Sequence, residues 1–340
     1  MVYEYANRLQ GRGHQVTILH PRNVIEKQGW MEQIKAELWQ YKVRARNRPL
    51  LSWFSVDAGV KLVLVPDLRQ KFIPDGDAIF ATAYETAFPV STYSLNKGRK
   101  LYLIQSYETW SGKECDVNAS WTLPLHKIVI SRHLLSKAIE LGEADRTSYI
   151  PIGLDHSLFK IITPLSKREP RIGMLAHSNK AKGLKDGIQA LQIVKEKMPG
   201  VRAALFGTEP RSAELPNWVE YIQRPTPRQL VELYNSCQIF LNPSWTEGWG
   251  LPAAEAMACG CALVSADNGG VHEFAVDEEN ALIVPIQRAE LLAEKVLRLL
   301  TDDVLRIDIA HSGNRNIQNF TWGRAVDLME QVVFQQVGEL

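Results

Sequence analysis

The hydrophobic pattern of the chain alternates short apolar runs with longer amphipathic segments. A short, β-branched apolar run is typical of a buried parallel strand, and apolar residues spaced three or four apart are typical of a helix. In the second half this pattern predicts strands at 171–175, 201–206, 219–222, 238–241, 261–265 and 281–284, with helices at 183–198, 227–235, 252–259, 288–301 and about 322–337. In the first half it predicts strands at 16–20, 60–65, 77–82, 100–105 and 127–131, with helices at 2–12 and 132–142. Strands that alternate with helices in this way predict an α/β fold with parallel sheets.

Two domains are expected, because 340 residues exceed what one hydrophobic core usually serves. A strand and turn at 147–155 end the first group of elements, and the polar, proline-flanked segment 164–170 follows. We therefore place a first domain at 1–155 and a second at 156–321.

Composition argues against several functional classes. The formal net charge of +1 gives no electrostatic reason for nucleic-acid binding. None of the four cysteines forms a C-x2-C pair, which argues against zinc and disulfide frameworks and favours a reducing, cytoplasmic compartment. No apolar run reaches the roughly 18–20 residues of a membrane-spanning helix, and we expect no signal peptide.

The segment 242–255, NPSWTEGWGLPAAE, connects a predicted strand to a predicted helix. Pro252 fits the first helical turn, where its missing N–H is tolerated. The loop before it thus lies at a helix N-terminus, where free N–H groups and the helix dipole attract phosphate. Glycines let the backbone approach such a ligand closely. The candidate ligand-binding residues of this turn are Gly248, Trp249, Gly250 and Leu251.

Two carboxylates flank this turn, at positions 247 and 255. Glu255, about one turn into the helix, is placed to accept hydrogen bonds from a ribose diol. Glu247, at the rim of the loop, is placed to contact sugar hydroxyls. Together they favour a nucleoside diphosphate that carries a sugar. The alternative is a capping carboxylate followed by an ordinary helical glutamate.

The residues around this pair resemble the donor-binding segment of retaining glycosyltransferases of family four. The family pattern is PS-x-x-E-G-x-G-L-x-x-x-E-A-M-A-C-G, then a strand and a GG-x-x-E turn. Residues 243–274 read PSWTEGWGLPAAEAMACGCALVSADNGGVHEF. RGHQVTIL at 12–19, IVISRHLL at 128–135 and FTWGRAVDLMEQVV at 320–333 also follow the family's order. The resemblance implies a GT-B fold: two facing Rossmann-like domains, the sugar donor in the cleft, no required metal, and a final helix, 322–340, crossing back onto the first domain.

The resemblance also implies a source of positive charge for the departing diphosphate. The family uses an Arg and a Lys after the first strand of the second domain, in the pattern G-R-L-x-x-x-K-G. We align Met174 with that Arg, with Lys182-Gly183 arriving three residues late, and expect Met174→Arg to be neutral or to tighten donor binding. Lys182 is assigned a catalytic role beside Glu247, and Lys180 a donor-binding one. The alternative is that Lys182 is a solvated loop lysine.

Two further polar residues are assigned to the ligand sites. Arg224 ends a predicted strand and is expected to stack on the base or to neutralise phosphate, unless it is an ordinary surface arginine. Gln105 stands after a strand where the family often has a His. A glutamine cannot act as a base, so Gln105 is expected to hydrogen-bond on the acceptor side.

The first domain departs from the usual Rossmann-like order, which begins with a strand and a Gly-rich turn. Here the helix 2–12 comes first, so the first strand is expected to be missing from this sequence. A central parallel strand contributes ladder hydrogen bonds and buried area. The first domain is therefore expected to be weakly stable unless another segment fills its place.

Two other patterns have competing interpretations. Asp75-Gly76-Asp77 matches the D-x-D of metal-dependent glycosyltransferases, but acids beside Pro74 and Gly76 are typical of a turn. Residues 38–54 carry four basic residues, no acid and interleaved aromatics. They are typical of a peripheral contact with an anionic membrane face, or of a basic surface loop.

Taken together, these patterns predict a metal-independent retaining glycosyltransferase without a cofactor, acting on a nucleotide sugar and a glycan or lipid-linked acceptor. Two alternatives remain open. A non-catalytic nucleotide-sugar-binding protein would bind the donor without turnover. A GT-B nucleotide-sugar epimerase would isomerise the donor without an acceptor.

Overall fold

The computed structural model describes residues 1–24, 51 and 54–338, which form two compact units. The first unit comprises Met1–Ile130, Leu134–Ile152 and Gly323–Leu340, and the second comprises Ser131–His133 and Gly153–Trp322. Of the helices described, none combines the length and the apolar character needed to cross a membrane.

The first unit is an α/β arrangement with parallel strands. Its elements are α1 (Val2–Gly11), β1 (Thr17–Pro21), β2 (Lys61–Val65), β3 (Ala78–Ala81), α2 (Tyr84–Thr92), β4 (Arg99–Ile104), α3 (Glu114–Trp121), β5 (His126–Val129), α4 (Arg132–Glu140) and β6 (Thr147–Tyr149). Among the described residues, β1 pairs with β2 in one sheet, and β3, β4, β5 and β6 pair in that order in another. All of these pairs are parallel, as the buried apolar runs predict. The expectation of a missing first strand stays a prediction.

The second unit contains one six-stranded sheet. Its elements are β7 (Arg171–Leu175), α5 (Leu184–Lys197), β8 (Arg202–Gly207), β9 (Val219–Gln223), α6 (Pro227–Ser236), β10 (Ile239–Asn242), α7 (Leu251–Ala258), β11 (Ala262–Ala266), β12 (Leu282–Val284), α8 (Ala289–Thr301) and α9 (Asp303–Ile317). The strand order is β12-β11-β10-β7-β8-β9, and every neighbouring pair is parallel. Ile172, Leu241 and Val264 have no exposed surface, as expected for central strands covered on both faces.

The last helix, α10 (Trp322–Gly338), begins in the second unit and continues into the first. Within the first unit, the Nε2 atom of His14 lies 2.7 Å from a carboxylate oxygen of Glu330. This contact joins α10 to the turn after α1.

The hydrophobic pattern gives no prediction for α9. The buried face of this helix mixes Arg306, Ile309 and Gly313, so it has no simple apolar stripe. Arg306 is accommodated because its guanidinium donates to the carbonyl of Leu299 at 3.0 Å. Asp302 caps the helix by accepting from the N–H of Leu305 at 2.9 Å, and this cap is the signal in the sequence that could have revealed it.

Arg168 fixes α7 against the sheet of the second unit. Its guanidinium donates to the carbonyls of Cys259 at 2.7 Å, Cys237 at 2.9 Å and Thr163 at 3.0 Å. Cys259 directly follows α7, and Cys237 precedes β10. Because Arg168 is only 6% exposed, these carbonyls are satisfied inside the protein rather than by water.

We expect Arg168→Met to lower the free energy of unfolding by about 2–4 kcal/mol, because buried carbonyls lose their hydrogen-bond donors. Urea denaturation measures this loss. The matched control is Arg202→Met, since Arg202 forms an exposed ion pair with Glu169 and its removal should change stability by less than about 0.5 kcal/mol. Equal losses at the two positions would contradict the role given to Arg168.

Candidate functional site

Two loops of the second unit meet at the carboxyl ends of β7 and β10. The chain order of the sheet reverses at β7, since β8 and β9 follow on one side and β10 to β12 on the other. Such a switch point leaves a crevice in which α/β proteins bind ligands. The N–H of Trp245 donates to the carbonyl of Ala181 at 2.7 Å and joins the two loops. Gly183 has φ +64°, and a Cβ there would lie 2.0 Å from the carbonyl oxygen of Pro243, so this approach requires glycine.

Lys182 and Glu247 form an ion pair between these loops. The Nζ atom of Lys182 lies 2.8 Å from each carboxylate oxygen of Glu247. The side chains are 26% and 11% exposed, respectively. Glu247 is held in place by its own N–H, which donates to the carbonyl of Asn268 at 3.0 Å. The two residues predicted to be catalytic are therefore in contact, and each neutralises the charge of the other.

The turn after Glu247 is anchored in the core. Gly250 has φ +102° and stands immediately before Leu251, the first residue of α7. The side chain of Trp249 is 2% exposed, and its ring centroid lies 4.9 Å from that of Phe274 and 5.5 Å from that of Phe320. Its indole nitrogen has no hydrogen-bond partner among the described residues. A ligand at this turn therefore meets the backbone of Trp249 rather than its side chain.

Glu255 lies in α7 beside a tyrosine that the sequence analysis does not single out. The hydroxyl of Tyr234, from α6, donates to Oε2 of Glu255 at 3.0 Å. Burial raises the pKa of Glu255 to about 7, while the hydrogen bond from Tyr234 acts in the opposite direction. Tyr234 is itself buried, with its ring against Phe206 and Phe240. The spacing of apolar residues along α6 explains why Tyr234 is buried. No sequence pattern, however, pairs its hydroxyl with Glu255.

The structure corrects the predicted register of the loop after β7. Met174 is fully buried, and its sulfur lies 2.4 Å from where a Cβ at Gly187 of α5 would stand. Because this side chain packs into the core, its assignment to the family's Arg position is wrong. Met174→Arg would bury a charge, which argues against the expectation that it is neutral or tightens donor binding.

The pattern G-R-L-x-x-x-K-G instead fits Ala176–Gly183 without a gap, which aligns His177 with the Arg and Lys182 with the Lys. The ring nitrogen Nδ1 of His177 accepts from the N–H of Asn179 at 2.9 Å. The other ring nitrogen, Nε2, is therefore the hydrogen-bond donor.

The other two cations assigned to the donor lie along the same edge of the sheet. The Nζ atom of Lys180 lies 5.5 Å from the centroid of the Trp245 ring, beside a cavity of about 500 Å³. Arg224 follows β9 in a left-handed conformation, with φ 49°. Its Nε donates to the carbonyl of Thr208 at 3.0 Å, which holds it near the loop after β8. The donor-binding roles of Lys180 and Arg224 stay predictions.

In the first unit, Gln105 follows β4, and its side-chain amide donates to the carbonyl of Thr82 at 3.1 Å. This places Gln105 at the carboxyl edge of its sheet.

Asp75 accepts from the Nζ of Lys97 at 2.6 Å, in a turn before β3. In the part of the chain that the structure describes, no three His, Cys, Asp or Glu side chains are grouped to hold a metal ion. The basic segment 38–54 lies outside the described residues, apart from Leu51 and Phe54.

Sequence comparison identifies relatives that match part of the chain. Residues 157–316 match the family described as Glycosyl transferases group 1. The chain is 31% identical over 122 residues to D-inositol 3-phosphate glycosyltransferase from Corynebacterium diphtheriae, covering 36% of this chain and 29% of the relative. It is 28% identical over 174 residues to N,N'-diacetylbacillosaminyl-diphospho-undecaprenol alpha-1,3-N-acetylgalactosaminyltransferase from Campylobacter jejuni, covering 49% of this chain and 46% of the relative. The matched segments thus span less than half of either relative.

Solved structures share the fold over nearly the whole chain. Sucrose-phosphate synthase from Thermosynechococcus elongatus superposes with a TM-score of 0.76 at 17% identity, covering 100% of this chain and 93% of that one. HepE from Anabaena, in complex with UDP-glucose, superposes with a TM-score of 0.68 at 18% identity, covering 95% of this chain and 100% of that one. The protein therefore has the GT-B fold. Within this fold, residues 157–316 match the group 1 glycosyltransferases.

We expect Glu255→Gln to stabilise the protein at pH 8 but not near pH 4. A carboxyl whose pKa is raised to about 7 favours its neutral form in the fold, so its ionisation destabilises the folded state as pH rises from about 4.5 to 7. The neutral amide avoids this penalty, which amounts to at most roughly 3 kcal/mol. Denaturation curves across this pH range measure the difference between the variant and the wild type.

The control is Glu214→Gln, at an exposed position of the same unit. Its stability should follow that of the wild type at every pH. A constant offset for Glu255→Gln across the range would show that the raised pKa is not the cause.

Proposed function

We propose that this protein transfers a sugar from a nucleoside diphosphate to a glycan or lipid-linked acceptor, with retention of the anomeric configuration and without a metal. The observation that carries the proposal is the Lys182–Glu247 pair, beside the N-terminus of α7 and at the switch point of the sheet. A cation at such a helix end suits a diphosphate, and a carboxylate beside it suits the hydroxyls of the attached sugar.

The main chemical requirement is stabilisation of the departing diphosphate. The bond between the anomeric carbon and the phosphate oxygen breaks ahead of attack by the acceptor hydroxyl. Lys182 donates to the diphosphate, and the first N–H groups of α7 add partial positive charge. Nε2 of His177, in the same loop, supplies a further hydrogen-bond donor. The departing phosphate oxygen takes the proton of the acceptor hydroxyl, so attack occurs on the face that the diphosphate leaves.

Glu247 and Glu255 have different roles in this proposal. When the diphosphate engages Lys182, the carboxylate of Glu247 becomes available to the hydroxyls of the transferred sugar. Glu255 accepts hydrogen bonds from the ribose, with Tyr234 orienting its carboxylate through Oε2. Only interactions that strengthen as charge develops on the diphosphate accelerate the chemical step.

The names of the similar proteins support these classes of substrate. HepE was solved with UDP-glucose, which is a nucleoside diphosphate sugar. The Campylobacter relative is named for a sugar linked through diphosphate to undecaprenol, which is a lipid-linked acceptor.

The stereochemistry of the product tests the proposal. We expect NMR of the first-formed product, with a UDP-sugar panel and simple glycan acceptors, to show the anomeric configuration of the donor. An inverted product would overturn the retaining mechanism. Binding of the donor without transfer would favour a nucleotide-sugar-binding protein, and an isomerised donor would favour an epimerase.

Lys182→Ala should lower kcat by about 10²–10³ and change the KM for the sugar donor much less, because Lys182 interacts most strongly with charge that develops in the transition state. Steady-state kinetics give both constants. Lys197→Ala, which removes an exposed lysine at the end of α5, is the matched control and should behave as wild type. A larger loss of kcat in Lys180→Ala than in Lys182→Ala would show that Lys180, rather than Lys182, contacts the phosphate.

A further inference from the structure

Trp245 lies in the loop after β10 and contacts the segment that carries Lys182 through both its backbone and its ring. Its backbone N–H donates to the carbonyl of Ala181 at 2.7 Å. Its indole N–H donates to Oδ2 of Asp186 at 2.6 Å, and the Nζ atom of Lys180 lies 5.5 Å from the centroid of its ring. A single residue therefore holds the chain on both sides of Lys182.

Asp186 is well placed to accept a hydrogen bond from the indole. It lies in the first turn of α5, where the partial positive charge of the helix N-terminus favours a carboxylate. A hydrogen bond to a carboxylate is shorter and stronger than one between neutral groups, in agreement with the 2.6 Å between the two atoms. The bond is also partly buried, which strengthens it further. The indole of Trp245 is therefore fixed to α5.

The turn between β7 and α5 has internal hydrogen bonds of its own. The side chain of Asn179 accepts from the N–H of Ala181 at 2.9 Å, and the N–H of Lys182 donates to the carbonyl of Asn179 at 2.9 Å. These bonds shape the turn itself, whereas the contacts of Trp245 set its position relative to the loop that carries Glu247. The ammonium of Lys182 stands at the end of a flexible stem, so its reach depends on where the backbone of the turn is held.

We propose that Trp245 is a positioning residue, which holds the turn of Lys182 at a fixed place relative to Glu247. Glu247 follows Trp245 by two residues, so one residue fixes both members of the ion pair. As a statement about catalysis, this rests on the glycosyl transfer proposed above, because a preorganised ammonium accelerates loss of the diphosphate. As a statement about the turn, it is tested without catalysis.

Hydrogen–deuterium exchange of the whole chain tests the turn. The N–H groups of Lys182 and Gly183 are hydrogen-bonded within it, so their exchange rates report its opening. Trp245→Phe keeps an aromatic ring beside Lys180 but removes the indole donor. We expect this variant to exchange about tenfold faster at these two amides.

The matched control is Trp218→Phe. Trp218 lies in the same unit and also has a lysine ammonium over its ring, since the Nζ atom of Lys195 lies 4.9 Å from the ring centroid. Its replacement should leave exchange at Lys182 and Gly183 unchanged.

A second comparison is made at Asp186. Asp186→Ala removes the acceptor and should reproduce the faster exchange of Trp245→Phe. Asp186→Asn keeps an amide oxygen that can accept from the indole, so it should retain most of the protection.

Steady-state kinetics with the sugar donor test the consequence for catalysis. Trp245→Phe should lower kcat about tenfold and change the KM for the donor less than about twofold, because a displaced ammonium costs most when charge develops on the diphosphate. In a Lys182→Ala background, Trp245→Phe should cause no further loss of kcat, because residues that act as a unit are not additive. A merely structural role would lower kcat by the same factor in both backgrounds. Trp218→Phe should leave both constants of the wild type unchanged.

Unchanged exchange in Trp245→Phe would overturn the inference, as would an equal loss of kcat in the two backgrounds. The two proposals fail in different ways. Absence of sugar transfer by the wild type, together with faster exchange in Trp245→Phe, rejects the proposed function and supports the role of Trp245 in the turn. Transfer by Trp245→Phe at the wild-type rate rejects only the role of Trp245.

Discussion

The close approach of the loops after β7 and β10 is the constraint on which the candidate site depends. Glycine at 183 lets the backbones pack, and the N–H of Trp245 closes a hydrogen bond to Ala181. Lys182 then reaches both carboxylate oxygens of Glu247. Because the pair is partly buried, separating the charges without a replacement would leave both poorly solvated. In the function proposed above, a diphosphate and its sugar together replace both halves of the pair.

Two carboxylates of one short segment have different surroundings. Glu247 faces an ammonium group, whereas Glu255 is buried and faces the hydroxyl of Tyr234. Burial raises the pKa of Glu255 to about 7, so its charge depends on the pH near neutrality. Differences in environment of this kind give chemically identical side chains separate roles. The ribose contact proposed for Glu255 is therefore sensitive to the packing of α6 against α7.

The sequence predicts the parts of the fold that follow from period and spacing. The central strands of the second unit, such as β7, are placed well because buried parallel strands form continuous apolar runs. Helix α9 is not predicted because its buried face combines a charged residue, apolar residues and a glycine. Met174 is aligned with the family's Arg because the motif was matched by its letters, whereas β7 continues to Leu175 and the loop begins only after it. The partnership of Tyr234 with Glu255 depends on tertiary packing, which no local pattern encodes.

Two ion pairs of the protein hold their cations in different ways. Arg69 engages Asp67 through two nitrogens, and although burial acts to raise the pKa of Asp67, the hydrogen bonds from Arg69 lower it. A planar guanidinium that donates two hydrogen bonds to one carboxylate exchanges that carboxylate for another anion less readily. Lys182 is a compact charge on a flexible stem, so it can exchange Glu247 for phosphate with little rearrangement. An anion can therefore replace Glu247 on Lys182 more easily than it can replace Asp67 on Arg69.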